Sequence, residues 1–152
     1  VLLPQRITLR NAMIKKFSTA AAVTLLTATA LSGCGSGKLS AEDTCALIIS
    51  RFGEIQLNQR IENSSPTPLD EDLTEDISIM SDRALVLSEA AEKTKDEDLK
   101  QALIAVGGND SKTAQLLTNK DLSAEEKSEH LMELQTPRLL EAQETYGTIC
   151  HL

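Results

Sequence analysis

Three groups of side chains in this sequence could do chemistry: thiols at Cys34, Cys45 and Cys150, a carboxylate–imidazole set at Glu126, His130 and Glu133, and an acidic run at residues 69–76. Glu126, His130 and Glu133 are spaced by four and three, so on a helix they share one face. Carboxylate and imidazole together suit a transition metal, but bundle-core metal sites need a second such set on a facing helix. The only other histidine is His151, so a solvated helix face is the expected reading and no metal ligand is assigned. The acidic run "LDEDLTED" lacks the alternating acids, central glycine and terminal glutamate of a calcium loop. Acids in the first turn of a helix are favoured by its dipole and need no ion. "GGND" at residues 107–110 is followed by no Lys-Ser/Thr at phosphate-loop spacing, and no nucleophile elbow or protease-like Cys–His arrangement is present. No catalytic residue is assigned, and an enzyme is not expected.

Cys34 ends a different kind of segment. Lys15 and Lys16 precede a mostly apolar run from Phe17 to Leu31, which is followed by Ser32, Gly33 and Cys34. A positive region, an apolar region and small residues at a cut form a secretory signal peptide. The apolar run carries Ser18 and Thr19, Thr24, Thr27 and Thr29, which makes it marginal against the roughly 20 apolar residues of a permanent span. Leu31-Ser32-Gly33-Cys34 resembles the lipobox of bacterial lipoprotein precursors. The resemblance covers residues 13–34 and none of the domain that follows. It implies diacylglyceryl transfer to the Cys34 thiol, cleavage before Cys34 and attachment to a membrane through acyl chains. That covalent lipid is the only cofactor expected. Residues 35–39 then form a short tether. The twelve residues before Met13 fit such a leader poorly: either translation starts at Met13, or they form a long n-region made cationic by Arg6 and Arg10.

With residues 1–33 removed, 119 residues remain, enough for one small domain over residues 40–152. The leader holds four of the fifteen Lys and Arg and no acid, so the remainder sets eleven basic residues against twenty-three acidic ones, a net charge of −12. Such a domain is not expected to bind nucleic acid, whose recognition rests on basic patches. It would also avoid an anionic bilayer surface, so attachment falls to the lipid. Only Phe52 and Tyr146 are aromatic after Cys34, which leaves little for a glycan platform. If Cys34 carries lipid, Cys45 and Cys150 are left, and in an oxidising compartment an even remainder of two reads as one disulfide.

The elements that must hold these residues read as helices. Ser40 caps a first helix whose apolar face is Cys45, Ile48, Ile49, Phe52 and Ile55, running to about Asn63. The prolines at 66 and 68 break it, and Thr67 and Pro68 open a second helix with Leu69, Leu73, Ile77, Met80, Ala84, Leu87 and Ala91 inside. A capping box at Thr94 and Glu97 opens a third helix, with Gly107-Gly108 as its stop and a short turn or two at residues 111–118. Ser123 and Glu126 form another capping box. Thr136-Pro137 either kinks the helix that follows or caps a new one through Leu139, Leu140, Gln143 and Tyr146. Alternating β-branched runs are absent, so the fold class is all-α: a bundle of four to five helices stapled end to end by Cys45 and Cys150. The function expected is that of a lipid-anchored envelope protein on the extracytoplasmic face of a bacterial membrane, docking another envelope protein. The alternative is a bundle that binds a small ligand or metal.

Overall fold

Ser40 begins the ordered bundle by accepting a hydrogen bond from the Asp43 N–H on its side-chain oxygen, an N-cap that satisfies one of the orphan donors of α1 (Ala41–Glu54). The computed structural model describes residues 37–64 and 67–152. Five further helices follow α1 among the described residues: α2 (Leu57–Asn63), α3 (Thr74–Lys93), α4 (Glu97–Thr118), α5 (Ala124–Glu133) and α6 (Pro137–Ile149). The described residues contain no strand, only an isolated bridge between Leu39 and Thr94. The all-α class therefore stands, with six helices in place of four to five.

The extra helix arises where the first expected helix breaks. Gln56 adopts a left-handed backbone at φ 53° and donates its N–H to the Gly53 carbonyl, so the chain turns between α1 and α2. The turn seats Leu57 in the interior at 2 % exposure. It also sends Arg60 across to α3, where its guanidinium donates to Glu75, Ser78 and Asp82. Ile49, expected on the apolar face of α1, lies exposed instead, while Cys45 and Ile48 are buried.

α3 starts later than its capping residues imply. The helix opens at Thr74, six residues after Pro68, because the acidic run folds into a turn. Asp72 Oδ1 accepts both the Thr74 N–H at 2.9 Å and the Thr74 hydroxyl at 2.6 Å, and Glu71 N–H bonds the Pro68 carbonyl. Short acidic side chains compete with the helix for backbone donors, and here they win for one turn.

Gly107-Gly108 does not stop a helix; α4 runs unbroken through it for 22 residues. Two glycines in a helix interior cost about 1 kcal/mol each relative to alanine, so packing must hold α4 together. α3 and α4 form an antiparallel hairpin that is the most extensive pairing in the bundle. Its interface is built from Leu87, Ala90 and Ala91 on α3 with Leu99, Leu103 and Val106 on α4. Each fully buried leucine contributes about 1.5–3 kcal/mol. The cap of α4 is Asp96, which accepts from the Leu99 N–H, with Thr94 bonding the Asp96 N–H one step earlier.

α1 packs mainly on α3 and α6 mainly on α4, so the hairpin forms the centre of the fold. α5 carries the capping box in full, with Ser123 and Glu126 bonded reciprocally. Its Lys127 is buried and donates to the Leu117 carbonyl at 3.1 Å, closing the C-terminal end of α4. Thr136 accepts from the Leu139 N–H and Pro137 occupies the first helical position, so this pair separates α5 from α6 rather than kinking one helix.

Candidate functional site

Cys45 lies one turn into α1 and Cys150 is the C-cap of α6; the two form a disulfide with their Cα atoms 5.3 Å apart. Both are buried, at 7 % and 8 % exposure, against Ile48, Leu139 and Ala142. The bond closes a loop of 105 residues and ties the first helix to the last. Cys34, the expected lipidation residue, lies outside the described residues, as does the expected leader at residues 1–33.

The tether leading back toward Cys34 is held from residue 38 onward. Leu39 N–H donates to the Lys93 carbonyl at 2.7 Å, and Lys95 N–H donates to the Leu39 carbonyl at 2.9 Å. Lys38 Nζ adds a bond to the Glu92 carbonyl. The chain thus enters the bundle at the α3–α4 corner, pinned on both sides of Thr94.

Glu126, His130 and Glu133 do not come together as a ligand set. Glu126 is engaged by the Ser123 backbone N–H and hydroxyl, both at 2.8 Å, and those bonds hold its carboxyl below the usual carboxylate range. His130 Nδ1 meets Glu133 at 3.1 Å on an exposed face. No cluster of three potential ligands is present among the described residues. In the acidic run, the Thr74 hydroxyl and N–H bonds hold Asp72 below its ordinary value, and the carboxylate serves the turn.

Two features were not anticipated. One is a polar joint between α3, α4 and α6. Arg83 Nη2 of α3 lies 3.2 Å from Asp110 Oδ2 of α4, an ion pair in a setting where the carboxylate is only 7 % exposed. The same oxygen has no aligned hydrogen-bond donor, so Coulomb attraction alone offsets its desolvation. Burial pushes the Asp110 carboxyl up to about 6, with Arg83 pulling the other way. Tyr146 of α6 is pushed up to about 12, chiefly by burial, with Arg83 lowering it and Asp110 raising it. Asp110 falls on the stripe Leu103, Val106, Asp110, Ala114 and Leu117, so its burial follows once α4 is read through the glycines.

The other is an open groove of ≈ 740 Å³ along the outer side of the α3–α4 hairpin. Ile77, Ser81 and Leu85 form one wall, and Ile104, Gly108 and Ser111 form the other. Leu85 is 69 % exposed and Ile104 50 %. The groove is broad, open and mostly apolar, with Ser81, Ser88, Ser111, Gln115 and Thr118 among its lining. No helix of the described residues is long and apolar enough to cross a membrane. No family model, curated protein or solved structure matches this chain.

Proposed function

We propose that this chain is the precursor of a bacterial lipoprotein, and that its mature form, beginning at Cys34, is a protein-interaction module held on the extracytoplasmic face of the membrane. The observation that carries the reading is the pairing of Cys45 with Cys150. A disulfide between helix-borne cysteines belongs to oxidising compartments. It also accounts for two of the three cysteines and leaves Cys34 outside the bridge, at the end of Leu31-Ser32-Gly33-Cys34. Two or more acyl chains would anchor the protein stably where one would not.

The tether supports the same reading. Between Cys34 and the pinned Lys38 lie only Gly35, Ser36 and Gly37. Four residue steps span roughly 14 Å at full extension, so an acylated Cys34 keeps the α3–α4 corner close to the bilayer. An exposed apolar groove without a closed pocket favours protein docking over small-ligand binding. The test is fractionation of wild type and Cys34→Ala expressed as full-length chains. Wild type should sediment with membranes and shorten on maturation; the variant should remain at precursor length. A Cys34→Ala chain that matures and stays membrane-bound like wild type would refute the anchor.

A further inference from the structure

We propose that the α3–α4 groove is a self-association surface: a second copy of this chain, anchored in the same membrane, packs its own α3–α4 face against it about a two-fold axis parallel to the two helices. The proposal rests on the lipid-anchored reading for its shared membrane, and on the groove for everything else.

Gly108 supplies the first argument. A β-carbon built there meets nothing within 4 Å, whereas one built on Gly107 meets Leu87 Cβ at 3.1 Å. Gly107 is explained by the packing of α3 on α4. Gly108 costs helix stability and, like Gly53 and Gly147, meets no neighbour; of the three it alone lines the groove. It sits on the groove wall one turn from exposed Ile104, so the two make a notch beside an apolar knob. Leu85, the most exposed large apolar side chain of the hairpin, projects from the opposite wall. Rotation about an axis along the groove carries α3 of one copy over α4 of the other. Leu85 then lies over the Ile104–Gly108 notch of the second copy, and the second Leu85 fills the first notch. A two-fold interface demands this self-complementarity.

Charge supplies the second. Ser81, Leu85, Ser88 and Glu92 follow at four, three and four along α3, and Lys100, Ile104, Gly108 and Ser111 at four, four and three along α4, so Glu92 and Lys100 extend the two walls toward the tether. Glu92 makes no ion pair with a described residue, and Lys100 has only an exposed partner in Glu97 at 3.4 Å. The same rotation sets Glu92 of each copy against Lys100 of the other, twice.

The tether supplies the third. Lys38 and Leu39 are pinned at the α3–α4 corner. An axis parallel to the helices brings both corners to the same end, so both lipid anchors reach one bilayer. The antiparallel alternative, α3 on α3, places the anchors at opposite ends.

Two differently tagged full-length copies co-expressed in one membrane, solubilised and co-purified, test this. Wild-type copies should co-purify. Gly108→Leu, whose β-carbon meets nothing within 4 Å in the single chain, should cut recovery roughly tenfold or more, as expected for filling the central notch of an interface. Glu92→Lys paired with itself and Lys100→Glu paired with itself should each lose recovery, since each opposes like charges. Glu92→Lys paired with Lys100→Glu should regain it, because both contacts become opposite-charge pairs. Wild-type copies that fail to co-purify, or a mixed pair that does no better than its parents, overturn the proposal. Mass spectrometry of the same samples separates the two readings: a lipidated chain without self-association overturns the dimer alone. An unlipidated chain whose charge-swapped pair still associates overturns the anchor alone.

Discussion

Gly107 on α4 stands against Leu87 on α3 so closely that a β-carbon on the glycine would lie 3.1 Å from Leu87 Cβ and 3.4 Å from the Ala84 carbonyl oxygen. The neighbouring Gly108 faces open space. One glycine is therefore tightly packed across the hairpin and the other is not, although the two are adjacent in sequence.

That contrast gives a paired prediction. Gly108→Ala should raise stability by about 0.5–1 kcal/mol, through helix propensity and a less flexible unfolded chain. Gly107→Ala gains the same propensity but crowds Leu87 and the α3 backbone, so it should fall below Gly108→Ala by about 1 kcal/mol or more. Urea unfolding monitored by helical circular dichroism checks this. Equal midpoints for the two variants would contradict the close approach.

The Arg83–Asp110 pair predicts a pH dependence. Burial raises the folded-state value of Asp110 to about 6 from an ordinary value near 3.8. The protonated form is therefore favoured by folding. Its contribution to stability is fully present below about pH 4 and is lost as pH rises through about 6. At pH 7 the buried charge costs on the order of 2–3 kcal/mol relative to a neutral side chain of the same shape. Asp110→Asn should gain up to that amount at pH 7 and little at pH 4. Subtracting its pH–stability curve from that of wild type should isolate a single titration between these values. Parallel curves would place Asp110 in a wetter setting than the structure does.

Removal of the bridge should loosen the two ends of the bundle. For a loop of about 100 residues, chain entropy assigns a disulfide roughly 4.7 kcal/mol, an upper figure. Cys45→Ser with Cys150→Ser should cost about 2–5 kcal/mol, read as a lowered melting temperature. Hydrogen exchange should rise first in α1 and α6, whose direct packing on one another is slight, while the α3–α4 hairpin keeps its protection. Uniform loss across all helices would contradict the hairpin as the centre of the fold.

Much of this architecture was legible in the sequence, and the parts that were not share a cause. The caps at Ser40 and Ser123 are local and form as their residues suggest; Thr136, open between kink and cap in the sequence, caps α6, and the cap expected at Thr94 falls to Asp96. Of the expected stripe, Leu73, Leu87 and Ala91 are buried, while Ile77 and Ala84 line the groove and Ile79, Val86 and Ala90 join the interior beside it. The features that local patterns conceal are tertiary. Gly107-Gly108 resembles a stop until the packing of Leu87 explains it. The break at Gln56 has no glycine or proline at the turning residue, and its left-handed backbone is stabilised by the burial of Leu57 and the reach of Arg60 to α3. Asp110 was hidden behind the supposed stop. The groove needed two helices side by side before Leu85 and Ile104 could be seen to share it.

The lipid anchor and the staple are tested together by the intact mass of protein purified from membranes, with and without reduction before thiol alkylation. The expected species is a chain that begins at Cys34 and carries acyl mass, with Cys45 and Cys150 alkylated only after reduction. A chain that retains residues before Cys34, carries no lipid and is alkylated without reductant would contradict both.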